Sequence, residues 1–202
     1  MSRSLRVARE ALGAVSILTF AASLVAGADA SPPFPDMGPA AKLDLTDARS
    51  GRPLMPDLRG KAVLLSFIAS TCRQTCPMTE ATFASVSQRL QGLSDARRVA
   101  MVLVTVDPAT DTVPKLRAFA RSFGPRVGTI AFATGPRHTI AQLLERYGVA
   151  VRFKRGTHDD PDHTAVTYLI DPRWHVRYEF GHDYGAASIA RLTARFVRSD
   201  MQ

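Results

Sequence analysis

Two uninterrupted apolar runs, "AVLLSFI" at residues 62–68 and "VAMVLVTV" at 99–106, limit what this chain can fold into. A strand with one wet face alternates apolar and polar residues, whereas a run without alternation suits a strand covered on both faces. Between the runs, Phe83, Val86, Leu90 and Leu93 recur at helical spacing, and the helix they mark begins near Cys76 and Pro77, where a missing N–H does no harm. Strand, helix, strand in one sheet implies a right-handed crossover with the two strands side by side and parallel. The chain is therefore expected to be an α/β protein.

The remainder supplies the other elements in order. "VPKLRAFARSF" turns Leu116, Phe119, Ala120 and Phe123 to one helix face, "GTIAFAT" reads as a short strand, and "RHTIAQLLERYG" sets Ile140, Leu143, Leu144 and Tyr147 at core spacing. "TAVTYLI", the turn "DPRW" and "HVRYEF" form an antiparallel hairpin, followed by a helix with Ile189, Leu192, Phe196 and Val197 inward. Upstream lie a short alternating strand around Leu43 to Thr46 and a Gly-Pro-rich turn. This is the thioredoxin order: a thioredoxin-like fold with a central mixed sheet flanked by helices and an N-terminal strand extension. A length of 202 residues suits one such domain.

The N-terminus carries a targeting pattern. Arg3, Arg6 and Arg9 precede an uncharged stretch over residues 11–28, and "AGADA" offers small-residue cleavage sites. Residues 1–30 are expected to be a signal peptide or membrane anchor, since 18 apolar residues are just enough to span a bilayer. Arginines ahead of the stretch favour a cytoplasmic N-terminus, which leaves the domain in the bacterial periplasm, soluble or held at the inner membrane. Residues 31–41 include "SPPFPDMGPA", which reads as a stiff Pro-rich tether without a core of its own, and the domain proper is expected over 42–202. Net charge is +8, yet the basic residues are mostly scattered Arg, with no run and no aromatic-rich cluster to bind nucleic acid. A basic surface of this kind suits acidic partners or anionic membranes.

The chemistry concentrates in "STCRQTCPMT", which holds both cysteines. Cys72 follows the first long strand and Cys76 opens the next helix, where exposed N–H groups and the helix dipole favour a thiolate. Arg73 adds positive charge. Three intervening residues can be bridged as a disulfide, so spacing alone does not choose between a redox dithiol and a pair of metal ligands. A third group bears on that choice. In thioredoxin-like domains the segment entering the hairpin strand passes beside the dithiol, and here it carries His163. Two thiolates and one imidazole make a three-coordinate site suited to Cu(I), and to Cu(II) with extra ligation.

The runs "LRGKAVLLSFIASTCRQTCPMT", "VTVDPATDTVPKLRAFARSFG" and "DHTAVTYLIDP" together resemble the Sco/SenC family of copper-binding thioredoxin-fold proteins, over roughly residues 42–198. The resemblance implies a membrane-tethered or exported metallochaperone for cytochrome c oxidase assembly, with Cys72, Cys76 and His163 as copper ligands, an oxidase subunit or other copper acceptor as partner, and a periplasmic thiol reductant to keep the cysteines reduced. Asp107 and Asp111 of "DPATD" also match, and read as turn and helix-cap residues near the site. Two departures stand out. Many relatives have Pro after the first Cys where this chain has Arg73, a cation expected to weaken or tune metal binding. The stretch between Tyr147 and His163 is short for the family, which implies a differently held loop.

A thiol-disulfide oxidoreductase is the competing reading, with Cys72 nearer solvent as the attacking thiol and Cys76 resolving; a redox or copper sensor is another. Of the remaining candidates, His158, Asp159, Asp160 and Asp162 read as a solvated acidic loop, His138 as a surface or cap residue, and His175 and His182 as flanking the last strand with no obvious partner. Met55 and Met78 offer thioethers for copper transfer, though methionine is commonly core filler.

Overall fold

The computed structural model describes residues 34–73, 76–92, 95–123, 130–153 and 160–201, with the side chain of residue 76 outside that set. Residues 1–30, expected to be a signal peptide or membrane anchor, and the pair His158 and Asp159 fall outside the described residues.

The two apolar runs become β2 (Ala62–Ile68) and β3 (Val99–Thr105), paired in parallel from Ala62↔Val99 to Ile68↔Thr105. All seven residues of β2 are buried, as a strand covered on both faces requires. Helix α2 (Cys76–Gln91) joins them and buries Phe83, Val86 and Leu90. Next come α3 (Val113–Ser122), β4 (Ile130–Thr134) parallel to β3, and α4 (Arg137–Arg146). The hairpin is β7 (Thr167–Ile170) and β8 (Val176–Phe180), with β7 antiparallel to β2, and α5 (Ala186–Ser199) closes the domain.

The N-terminal strand is shorter than the alternation predicts. β1 spans only Thr46–Asp47, antiparallel to β4, although Leu43 and Leu45 still bury their side chains. A short helix, α1 (Met55–Leu58), stands in the Gly-Pro-rich turn. The six-stranded sheet runs β1-β4-β3-β2-β7-β8. Partners in register share a face, so Ser66, Leu103 and Phe132 point the same way. Ser66 lines a cavity there together with residues of α2 and α5, and Phe132 meets Phe119 and Phe123 at α3. Phe67 points to the opposite face and meets Tyr147 at the end of α4.

A second, two-stranded ladder was not legible in the sequence. It pairs β5 (Val151–Arg152) with β6 (Asp162–His163). Gly148 makes it reachable: at φ +62° it ends α4 in the left-handed conformation that glycine adopts without strain, and Val149 N–H returns to Leu144 O at 2.8 Å.

The Pro-rich stretch is not a free tether once Phe34 is reached. Met37 N–H bonds Val176 O, Val176 N–H bonds Gly38 O, and Ala40 N–H bonds Trp174 O, so the segment lines up along the start of β8. Phe34 is 3% exposed, edge-on to Phe196 and under the Arg195 guanidinium. An aromatic ring on a short segment finds its core in the neighbouring sheet edge and helix.

Candidate metal centre

The end of β2 is held before the cysteines begin. Val106 N–H donates to Ile68 O at 2.7 Å, and Cys72 N–H donates to Ala69 O at 3.0 Å, so the loop turns tightly back on itself. Cys72 is 9% exposed and packs with the core; the expectation that it lies nearer solvent than Cys76 turns on a side chain outside the described residues. Cys76 is the first residue of α2, beside the N–H groups that a helix leaves without internal partners in its first turn. Their partial positive charge lowers the cost of a thiolate.

His163 sits in the small ladder, opposite Val151, with Thr164 N–H bonded to Ala150 O at 3.1 Å just beyond it. The ring is half-buried, and loss of water around it pushes its pKa below the ordinary histidine value, against smaller opposing effects of Thr164 O and Asp162. The neutral imidazole is therefore favoured near neutral pH. Its Nδ1 lies 3.2 Å from Thr164 O. A carbonyl only accepts, so Nδ1 carries the proton in that bond and Nε2 keeps the lone pair a metal would use.

Topology brings the two loops to one end of the sheet. In the antiparallel pair β2–β7, Ser66 faces Thr167, and each step forward along one strand is a step back along the other. The loop after β2 and the segment before β7 therefore lie at the same end of the sheet. A hydrogen bond joins the loops directly: Arg73 N–H donates to Asp160 Oδ1 at 2.8 Å. Asp160 has φ +49°, an uncommon backbone state for a non-glycine residue, and aspartate is among those that tolerate it best. The Arg73 departure thus has a structural counterpart, because proline has no N–H to give.

Asp107 and Asp111 are both buried. Asp107 is the expected turn residue, its Oδ1 accepting from Thr110 N–H at 3.3 Å. Asp111 is not a helix cap: the residue at that position is Thr112, which makes no side-chain cap bond. Its carboxylate instead accepts from Ser70 N–H at 3.0 Å, from Ser70 Oγ, and from Thr105 Oγ1 at 2.6 Å. It bolts the loop before Cys72 to the end of β3. The pairing spans 41 residues of sequence, so no local signal could have revealed it.

Glu80 was also missed, although it lies one helical turn beyond Cys76 on α2, a spacing that pattern reading can detect. Burial pushes its carboxyl up to about 7. His175 does have a partner, since its Nδ1 lies 2.8 Å from Asp36. His138 is exposed near the start of α4. Among the described residues no three His, Cys, Asp or Glu side chains cluster to hold a metal, so that a Cys72–Cys76–His163 set depends on the thiol of residue 76, which is not among them. No helix among the described residues is long and apolar enough to cross a membrane.

Comparison with known proteins gives this arrangement relatives. Residues 40–198 match the family described as SCO1/SenC. A SCO2-like protein of Rickettsia prowazekii is 27% identical over 139 residues, covering 67% of this chain and 65% of that protein. The chain spans about half to two thirds of the length of the curated relatives it matches. Among solved structures, ScoI of Bradyrhizobium japonicum with copper bound has a TM-score of 0.67 at 24% identity, covering 79% of this chain and 99% of that one. BsSco, described by its structure as having a disulfide switch and as a member of the Sco family of cytochrome c oxidase assembly proteins, has a TM-score of 0.66 at 20% identity, covering 82% and 97%. At these identities the structural likeness is one of fold, and the fold is thioredoxin-like.

Proposed function

The chain belongs to the SCO1/SenC family, and from that premise we propose that it is an exported copper chaperone that holds its cargo on Cys72, Cys76 and His163. The observation that carries the reading is the convergence of two loops. The Cys72 loop and the ladder bearing His163 leave the sheet at the same end and are tied together by Arg73 and Asp160. Two thiolates and a neutral imidazole are soft, mostly anionic donors, a set that favours Cu(I) and accommodates Cu(II) when a further ligand joins.

Each residue has a distinct task. Cys76 opens α2, where the helix N–H groups favour a thiolate, and His163 is kept neutral by burial and oriented by Thr164 O. Cys72 is buried, four residues beyond the end of β2. Both thiols must be reduced to bind, so a periplasmic thiol reductant is required, and formation of a Cys72–Cys76 disulfide would exclude the ion. Delivery proceeds by ligand exchange to an acceptor, taken in this reading to be a subunit of cytochrome c oxidase.

The test is anaerobic Cu(I) titration of the full chain against Cys72→Ser, Cys76→Ser and His163→Ala. Each substitution is expected to weaken binding by at least a hundredfold, while His163→Ala still forms the disulfide. Stoichiometric binding by His163→Ala at unchanged affinity would sink the three-ligand site. A second reading, thiol-disulfide exchange by the same pair, is favoured by the position of Cys76 at a helix N-terminus. It requires turnover of a model disulfide that depends on both cysteines and is indifferent to His163. Export is tested separately by fusing a reporter that is active only in the periplasm after residue 41; its activity should vanish when residues 1–30 are removed.

A further inference from the structure

A cavity of about 250 Å³ opens between the first turns of α2 and the turn that joins β8 to α5. Met78 and Phe83 line it from α2 and Phe180 and His182 from the end of β8 and the turn beyond, and Val166 is also in its lining. Among the described residues, no carboxylate, thiol or cationic side chain lines it. Two of its hydroxyls are engaged: Ser66 donates to Val166 O at 2.8 Å, and Tyr184 pairs with Tyr178 at 2.8 Å.

Met78 is 70% exposed, the most exposed of three such large apolar side chains among the described residues. One exposed methionine needs no explanation by itself. Its setting does, because the exposed imidazole of His182 borders the same small cavity and Cys76 lies two residues upstream. The nitrogen and sulfur donors bordering the cavity are thus one imidazole and one thioether. A hard cation would want carboxylate or carbonyl oxygens, and zinc would want four ligands including thiolate or several imidazoles. A soft monovalent ion accepts two neutral soft donors.

We propose that Met78 and His182 form a second, weaker Cu(I) site at the mouth of this cavity, a station through which the ion passes between the cysteine centre and its acceptor. The site itself stands on these two residues; the passage rests on the chaperone reading above. Two neutral donors without a thiolate hold Cu(I) loosely and let it exchange quickly, which suits a point of transfer rather than storage.

The experiment removes the first site so that the second can be read alone. The full chain carrying Cys72→Ser, Cys76→Ser and His163→Ala, labelled at its methionine methyls, is titrated with Ag(I), a redox-silent stand-in for Cu(I), and followed by NMR. The Met78 methyl and the His182 ring should shift together with one equivalent, while the other five methionines stay put. Adding His182→Ala should lower the affinity read at Met78 at least tenfold. A shift shared equally by exposed Met37, or one indifferent to His182→Ala, would overturn the site. In the chain with its cysteine centre intact, Met78→Leu should slow Cu(I) transfer to a soluble chelator at least threefold with affinity unchanged; an unaltered rate overturns the passage. Because the Ag(I) arm runs without the first site, its failure leaves the cysteine–histidine reading untouched, and the reverse also holds.

Discussion

Residue 73 is tied to the site through its backbone. Its N–H reaches Asp160 Oδ1 and couples the thiol loop to the segment that leads to His163. If that bond positions the ligands, Arg73→Pro and Asp160→Ala should each lower Cu(I) affinity about fivefold to tenfold, the scale of one ordinary solvent-exposed hydrogen bond. The double substitution should cost no more than either alone, since both remove one interaction. Arg73→Ala keeps the N–H and should bind normally; an equal loss there, measured by chelator competition, would show that the side-chain charge is what counts. Glu80 gives a pH signature at the same scale. Its carboxyl is raised to about 7 by burial, so the fold holds the proton more tightly than the unfolded chain does. Stability from this group should fall as pH rises through the interval between the ordinary carboxylate range and about 7, then level off. Glu80→Gln should flatten that slope and stabilise the protein at pH 8 by on the order of 1 kcal/mol, discounted for the part of the group that water still reaches. Urea melts at pH 5 and pH 8 would decide it.

Among the elements, the exits of β2, β3 and β4 meet around one aspartate. Asp111 takes Ser70 and Thr105 on its carboxylate, and its own carbonyl accepts from Thr134 Oγ1 at 3.0 Å on β4. Asp111→Ala leaves those donors facing a low-dielectric interior, at an expected cost of about 3 kcal/mol in chemical denaturation. The same substitution releases the loop ahead of Cys72, so copper affinity should drop with stability. A variant that loses stability yet binds copper normally would separate the bolt from the site. The small β5–β6 ladder does the corresponding job for His163, pairing it with Val151 rather than leaving it on an open loop.

For the molecule as a whole, the segment at residues 34–40 changes how the domain is bounded. Arg177 Nε bonds Pro35 O at 2.9 Å and its guanidinium also reaches Phe34 O, while Asp36 pairs with His175. Phe34 fills the space between Phe196 and Tyr178. Phe34→Ala should therefore cost about 3 kcal/mol, as for other buried aromatic rings, and lower Tm although the residue precedes every strand and helix among the described residues. An unchanged Tm would mean that the segment contributes no stability where it lies.

Much of the architecture could be read from periodicity alone. The runs at 62–68 and 99–106 became buried parallel strands, and the apolar spacings in the later helices became core contacts at Leu116, Ile140, Leu143 and Phe196. The candidate ligands were picked out as local patterns, two cysteines four apart and a histidine before a strand; that the three meet on one ion is the proposal above. What the sequence could not convey is every contact made across long separations: Asp111 with Ser70, Arg73 with Asp160, Phe34 with Phe196, and the ladder that carries His163. Apolar periodicity is written residue by residue along the chain, so the sequence by itself determined which segments bury which faces. Which polar groups then meet depends on the register and direction of strands far apart in sequence, and only the tertiary structure decided that.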